Sequence, residues 1–192
     1  MKMVIQDIAF QDFVQAITTV VEKSNNDMEV VGEVEHLLGK LIRNKNWLPI
    51  DKQTPNAKQY ARHSLYHDPL DRFEIIALIW NPGQETTLHD HDGAWGVEGV
   101  LHGRIKVKNF LQRKQLSQTR IKLDYAGSVT LGVDSTGQLL PPADCHILKV
   151  DSNEKAVTIH IYGKKLKKFR VFYPTLEKNV YITEVCNIGY DS

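Results

Sequence analysis

Residues 83–96 read GQETTLHDHDGAWG, and this stretch carries two histidines, His89 and His91, shortly after an apolar run and a Pro-Gly turn. On a β-strand, residues two positions apart point to the same side, so the two imidazoles are expected to face together while Asp90 points away. Imidazole is a good ligand for iron, zinc, copper and nickel. An HxH pair also arises by chance or as two surface histidines, so a metal site requires further ligands.

Two later segments supply further polar side chains. His146 begins an apolar segment, and alternation in residues 158–162 puts Thr158, His160 and Tyr162 on one face. In a barrel, the inward faces of strands that are distant in sequence meet. The three polar residues are therefore compatible with a solvated outer face or with a polar interior that also contains the HxH pair.

The order of the elements predicts a mainly β protein with α-helices at its N-terminus. Apolar residues recur at three- and four-residue steps in residues 8–21 and 30–42, which predicts two amphipathic helices. After Pro49 the segments are short, rich in β-branched and aromatic residues, and separated by turn residues. We predict turns at 81–83, 102–103, 126–127, 135–137 and 151–153, and strands at 60–66, 73–80, 95–101, 104–110, 119–125, 128–133, 146–150, 156–162, 169–173 and 181–185. We expect residues 1–48 to form a helical lead-in packed on a barrel domain of residues 49–192.

Composition narrows the class of protein. The 192 residues carry 24 basic and 23 acidic side chains, a balance that argues against binding nucleic acid or an anionic membrane by bulk charge. No apolar run approaches the roughly 20 residues that span a bilayer, and residues 1–10 lack the pattern of a signal peptide. Two cysteines, Cys145 and Cys186, make no disulfide framework. The sequence thus predicts a cytoplasmic protein with no nucleic-acid or membrane partner.

The histidine segment resembles the first cupin motif, in which a glycine, an HxH pair, an acidic residue and a second glycine follow at fixed spacing. The matching residues are Gly83, His89, His91 and Gly103, while Gly96 occupies the acidic position. This resemblance implies the cupin double-stranded β-helix, a jelly-roll-like barrel.

The second cupin motif is visible in Pro141, which lies five residues before His146. Most cupins bind their metal with three histidines and a glutamate, so the resemblance implies a reduced set here, namely His89, His91 and His146. Such a set leaves coordination positions open for a substrate and dioxygen. Glu98 lies two residues beyond the missing acidic ligand, and we expect it to support the site without binding the metal.

This set of motifs is similar to that of the cysteine dioxygenase type I family. Tyr60 and Arg62 match a segment whose arginine binds the substrate carboxylate, so both are expected to bind substrate. Thr158, His160 and Tyr162 match the family's SxHxY triad, with threonine for serine, and are expected to be catalytic. The resemblance implies a mononuclear Fe(II) enzyme of cysteine catabolism, in which L-cysteine and O₂ give cysteine sulfinic acid.

Departures from the family pattern leave alternatives open. Mammalian members have a cysteine, cross-linked to the triad tyrosine, at the position of Gly96, so Tyr162 is expected to be a free phenol. The 3-mercaptopropionate dioxygenases have glutamine in place of Arg62, which favours cysteine as substrate, although residues 92–100 resemble both branches. Further alternatives are a non-oxidative cupin that uses Zn(II) or Mn(II) as a Lewis acid, and a cupin module that only binds a ligand. Arg170 is a second candidate for positive charge at the mouth of the site.

Overall fold

The computed structural model describes residue 5 and residues 7–192, so part of the segment inspected for a signal peptide lies outside the described residues. Helices α1 (Ile8–Lys23) and α2 (Asp27–Leu41) form as predicted, and a single 3₁₀ turn (Ile50–Gln53) follows. Side chains cap both helices, because Asp7 accepts from the Phe10 N–H and Asn26 from the Met28 N–H. None of the described helices is long and apolar enough to cross a membrane.

In the described part of the chain, ten strands form two antiparallel sheets of five strands each, which confirms the mainly β prediction. The strands are β1 (Ala61–His67), β2 (Glu74–Trp80), β3 (Gly96–His102), β4 (Ile105–Ser117), β5 (Arg120–Leu131), β6 (Thr136–Leu139), β7 (Cys145–Val150), β8 (Ala156–Tyr162), β9 (Lys168–Pro174) and β10 (Val180–Asn187). The first sheet has the order β1-β2-β8-β3-β6 and the second β7-β4-β5-β10-β9.

The three inner strands of the first sheet, β2, β8 and β3, are buried on both faces, and this decides where their polar side chains point. Every residue of β8 is buried. Ile159 and Ile161 join a cluster with the helices, including Leu38 and Ile42 of the α2 region. Alternate residues of the same strand, such as Tyr162, pack between the two sheets. The polar face of β8 therefore lines the barrel interior, which resolves the alternative left open by the sequence.

Two predicted turns are wrong. The predicted turn at 126–127 lies inside β5, because an extra residue forms a bulge between the Asn109–Gly127 and Phe110–Tyr125 pairs, so the predicted strands 119–125 and 128–133 are one. The predicted turn at 135–137 overlaps β6, a short edge strand. A turn-forming residue therefore marks a bulge as well as a loop, and the sequence pattern does not separate the two.

The HxH pair does not lie on a regular strand, contrary to expectation. It belongs to the connection between β2 and β3, which makes isolated bridges from His89 to His146 and to Val171. These bridges join the β7 and β9 edges of the second sheet, and the backbone of Leu88 also accepts from Phe172 at 2.9 Å. The connection thereby closes the second sheet across its two outer strands.

The two glycines of the first motif have different structural roles. Both have positive φ, 80° at Gly83 and 77° at Gly103. A Cβ at Gly83 meets nothing within 4 Å, whereas a Cβ at Gly103 comes within 2.8 Å of the Ala156 Cα and of the Lys155 carbonyl oxygen. The β3–β4 turn therefore requires a glycine at position 103 for two reasons. The backbone has a positive φ there, and the turn closely approaches the start of β8.

We predict that Gly103→Ala lowers the free energy of unfolding by more than the matched control Gly83→Ala. In the control, the only destabilisation is that of an alanine at positive φ, which costs roughly 1–2 kcal/mol. The variant at position 103 adds a backbone clash, so we expect a total loss of about 3 kcal/mol. Urea unfolding of both proteins measures the difference, and equal losses would contradict the role assigned to the contact.

Candidate metal centre

Three histidines converge at the point where the β2–β3 connection closes the barrel. The candidate ligand atoms of His89, His91 and His146 all lie within 4.8 Å of one another. Their ring centroids are 4.8–5.1 Å apart. Reciprocal backbone hydrogen bonds of 3.2 and 3.1 Å fix His89 beside His146. The structure thus brings together the three residues that the sequence suggested as metal ligands.

Hydrogen bonds leave the Nε2 atoms of the cluster available. The Nδ1–H of His89 donates to the Thr87 carbonyl at 2.9 Å, and that of His91 donates to the Asp144 carbonyl at 3.0 Å. These bonds fix the tautomer in which Nε2 carries the lone pair. The buried Nε2 atoms of His91 and His146 have no hydrogen-bond partner among the described residues. Unpaired buried acceptors are costly, so the donor set fits a metal ion that would bind them.

Burial keeps these imidazoles neutral. It lowers the pKa of His89 to about 4, and it lowers the pKa values of His91 and His146 well below the ordinary value of 6.5. The neutral imidazole is the form that binds a metal. The cluster is therefore ready to accept a cation at neutral pH without first releasing protons.

No carboxylate of the described residues joins the three histidines as a ligand. Gly96 lies opposite Tyr162 in the β3–β8 pairing, and a Cβ there would lie 3.1 Å from the tyrosine ring. Glu98 approaches the far side of the imidazoles, 4.0 Å from the Nδ1 of His146 and 3.5 Å from that of His160. Burial raises the pKa of Glu98 to about 8.

A chain of buried hydrogen bonds runs beside the cluster. The indole N–H of Trp80 donates to the Thr158 hydroxyl at 3.0 Å, and that hydroxyl lies 2.8 Å from the Nε2 of His160. The Nδ1 of His160 lies 3.2 Å from the Tyr162 hydroxyl. The Tyr162 ring stacks on His91 with centroids 5.1 Å apart. Sequence reasoning found three of these four chain residues and missed Trp80, because a tryptophan in an apolar strand is typical of a core position.

The same surroundings set the charge of this chain. Burial raises the pKa of the Tyr162 phenol far above its usual range, so the hydroxyl keeps its proton. Burial first, and then the positive charge of Arg62, lowers the pKa of His160 to about 3. At physiological pH Tyr162 is therefore a neutral hydrogen-bond donor, and His160 is a neutral imidazole between the hydroxyls of Thr158 and Tyr162.

Arg62 and Tyr60 lie at the mouth of the site. The guanidinium Nη2 of Arg62 lies 3.5 Å from the Tyr60 hydroxyl, and the Tyr60 ring packs on Trp80 with centroids 4.4 Å apart. A cleft of about 390 Å³ is lined by Tyr60, His89 and Phe169, and Arg62 lines an adjoining cleft of about 130 Å³ that shares Tyr60 and Phe169 with it. The structure thus brings both predicted substrate-binding residues close to the histidine cluster.

Arg170 has a different position from the one expected. Its guanidinium donates to the Asp90 carboxylate at 2.7 Å and to Gln112 at 2.8 Å. Asp90 is buried between the two histidines of the HxH pair and also accepts from the Arg170 backbone N–H at 2.8 Å. Arg170 is therefore held against the segment that carries the HxH pair. No local sequence pattern indicates this pairing, because the two residues are distant along the chain.

We predict that the metal-free protein loses stability as the pH falls from about 6.5 toward 4. The three cluster histidines and His160 have folded-state pKa values below the unfolded value of 6.5, so the unfolded chain binds more protons in this interval. Burial raises the pKa values of Glu98, Glu74 and Asp144, and these three carboxyl groups act in the opposite direction, with at most three protons against the four of the histidines. Thermal unfolding between pH 7 and pH 4 is the measurement.

The exposed His36 supplies the control for this titration. We expect His160→Gln to make the pH profile shallower, and His36→Gln is the matched substitution outside the cluster. A midpoint temperature that stays constant from pH 7 to pH 5 would contradict the assigned direction.

Solved structures with similar folds are distant. The TT1209 protein of Thermus thermophilus is 15% identical, with a TM-score of 0.47 over 61% of this chain and 95% of its own. A conserved protein with a double-stranded β-helix domain from Klebsiella pneumoniae is 13% identical, with a TM-score of 0.47 over 65% and 94%. The cupin domain of Schizosaccharomyces pombe Cnp3 is 14% identical, with a TM-score of 0.45 over 58% and 66%. At this distance the likenesses carry no argument about function.

A family model covers most of the sequence. The model described as cysteine dioxygenase type I matches residues 1–174. The match includes the three histidines, the hydrogen-bonded chain on β8 and the arginine at the mouth. The chain therefore belongs to the cysteine dioxygenase type I family.

Proposed function

We propose that this protein is an Fe(II)-dependent thiol dioxygenase that oxidises L-cysteine to cysteine sulfinic acid in the cytoplasm. The observation that carries the proposal is the cluster of three neutral imidazoles, with unpartnered Nε2 atoms at His91 and His146. Family membership supports a thiol substrate and O₂. We also propose that residues 1–48 belong to one structural unit with residues 49–192, because helix residues share a core cluster with the first sheet.

The three histidines would hold the iron through their Nε2 atoms. Bound Fe(II) supplies a site where a substrate thiol and O₂ meet, so that both oxygen atoms are transferred to sulfur. Since the three protein ligands are neutral, they leave the charge of the ion uncompensated, which favours an anionic thiolate as the substrate form. The hydrogen bonds from His89 to Thr87 and from His91 to Asp144 orient two of the three rings.

Arg62 would bind the substrate carboxylate. Its guanidinium is a permanent cation with a planar set of donors that matches a carboxylate with two parallel hydrogen bonds. Tyr60 lies against Trp80 and limits the positions that Arg62 can take. A long cation whose position Tyr60 restricts would suit the carboxylate of a substrate whose thiol is held at the histidine cluster.

Tyr162 would donate its hydroxyl proton to the reacting ligands in a hydrogen bond. In one arrangement that satisfies the buried chain, the Thr158 hydroxyl donates to His160 Nε2, and His160 Nδ1–H donates to the Tyr162 oxygen. The phenol hydrogen is then free to point into the cavity. Trp80 supports this direction because its N–H occupies one acceptor site of Thr158.

The proposal predicts O₂ uptake by the iron-loaded protein with L-cysteine, with cysteine sulfinic acid as the product. An oxygen electrode and mass spectrometry measure both, with 3-mercaptopropionate compared in parallel. Faster turnover of 3-mercaptopropionate would keep the reaction class and overturn the substrate. A protein that holds iron but consumes no O₂ with either thiol would overturn the dioxygenase itself.

We predict that Arg62→Gln raises the KM for L-cysteine by roughly tenfold or more, the loss of a charged hydrogen bond. The effect on 3-mercaptopropionate should be smaller. This thiol acid has no amine, so its carboxylate is freer to move toward the shorter glutamine side chain. Arg113→Gln is the matched control, since Arg113 is exposed on β4 and pairs with Asp124. Equal losses for the two thiols would mean that Arg62 does not select the substrate.

A further inference from the structure

The C-terminal segment 188–192 lies along β1, next to the proposed carboxylate-binding arginine. The Asp191 N–H donates to the Arg62 carbonyl at 2.8 Å, and the Asp191 carboxylate accepts from the Arg62 N–H at 2.8 Å. The Ser192 carbonyl accepts from the Ser64 N–H at 2.9 Å. This segment lies beyond residues 1–174, the part that matches the family model, so family membership assigns it no role.

The segment brings a second tyrosine ring to Arg62. The guanidinium carbon of Arg62 lies 6.0 Å from the ring centroid of Tyr190 and 6.0 Å from that of Tyr60. A guanidinium at this distance from an aromatic face is attracted to it. The cation therefore has an aromatic ring from the start of β1 and another from the C-terminal segment as neighbours, and both restrict its rotamers.

Tyr190 is itself held in place from the side of the first sheet. Its hydroxyl donates to the Glu74 carboxylate at 2.7 Å and lies 3.3 Å from the Leu166 carbonyl oxygen. Glu74 is fully buried on β2, where burial raises its pKa. A buried carboxylate needs a donor, so the hydrogen bond from the phenol both stabilises Glu74 and orients the Tyr190 ring.

We propose that Tyr190 is a positioning residue that holds the guanidinium of Arg62 in the orientation that receives the substrate carboxylate. This inference rests on the proposed function, because it acts through the carboxylate bound by Arg62. A side chain restricted before binding loses less freedom when the ligand arrives, and that increases affinity. Tyr190 thus affects substrate binding and leaves the metal ligands and the Tyr162 hydroxyl unchanged.

The test compares Tyr190→Leu with Tyr190→Phe in the full-length iron-loaded protein. We expect Tyr190→Leu to raise the Kd and the KM for L-cysteine by about fivefold, since the ring contact is lost. Tyr190→Phe keeps the ring but removes the donor to the Glu74 Oε2 and leaves only the longer bond from Ser64 to Oε1, and we expect an increase of about twofold to threefold. Anaerobic calorimetry gives the Kd, and kcat and iron content are expected to stay within about twofold of wild type, an allowance for small indirect effects.

A double-mutant cycle separates positioning from general stabilisation. If Tyr190 acts through Arg62, Tyr190→Leu has little further effect on the Kd once Arg62→Gln is present. Tyr125→Phe is the control, because Tyr125 is exposed on β5 of the other sheet. Thermal unfolding of each protein shows whether it is folded at the assay temperature. If Tyr190→Leu is not folded at that temperature, Tyr190→Phe still tests the inference.

Three outcomes overturn the inference. The first is an unchanged Kd in both Tyr190 variants. If Arg62→Gln alone still weakens binding, this outcome leaves the proposed role of Arg62 intact. Equal losses from Tyr190→Leu in the wild-type and Arg62→Gln backgrounds show that Tyr190 does not act through Arg62. If Arg62→Gln itself leaves the Kd unchanged, the proposed role of Arg62 fails, and the positioning role of Tyr190 fails with it.

Discussion

The reciprocal backbone pairing of His89 with His146 is the contact on which the rest of the site depends. It joins the β2–β3 connection to the first residues of β7, while the bridge to Val171 joins the same connection to β9. The barrel is thus closed by the segment that carries two of the three candidate ligands. Because the two backbones are hydrogen bonded to each other, the positions of the imidazoles follow from the closure of the barrel. The Asp90–Arg170 pair holds the segment from its other side, and it does so beneath the surface, since Asp90 is buried.

A second constraint is the burial of polar groups in a barrel that is otherwise apolar. Four neutral histidines, a tyrosine and Glu98 face an interior in which each unpaired atom is costly. Backbone carbonyls satisfy the Nδ1 atoms of His89 and His91, and Thr158 together with Trp80 satisfies His160. The atoms that remain unpartnered among the described residues of the site are the Nε2 atoms of His91 and His146, the Nδ1 of His146 and the Oε2 of Glu98. The two Nε2 atoms are those that a metal ion would bind, and the Nδ1 of His146 faces Glu98 at 4.0 Å.

The mouth of the site has a different physical basis from the histidine cluster. Backbone pairing fixes the cluster, whereas at the mouth the rings of Tyr60 and Tyr190 restrict the Arg62 side chain. Trp80 contacts both parts, because its indole N–H donates to Thr158 and its ring packs on Tyr60. One tryptophan thus couples the orientation of the hydrogen-bonded chain on β8 to that of the residue beside Arg62. The C-terminal segment adds Tyr190 on another side of the cation, so residues from opposite ends of the barrel domain meet at the mouth.

The sequence by itself determined the element types, because periodicity and turn chemistry are local properties of the chain, and its resemblance to the cupin motifs indicated the barrel and the residues of the cluster. It applied strand alternation to His89 and His91, which do not lie on a regular strand, and it divided β5 at its bulge, since a glycine has the same local pattern in a bulge as in a turn. Only the tertiary structure decided that Thr158, His160 and Tyr162 face inward, because that depends on helices covering the other face of the sheet. Only it brought Arg170 to Asp90 and Tyr190 to Arg62. Those contacts join residues that are 80 or more positions apart, and the energy that selects them arises when the sheets pack and exclude water.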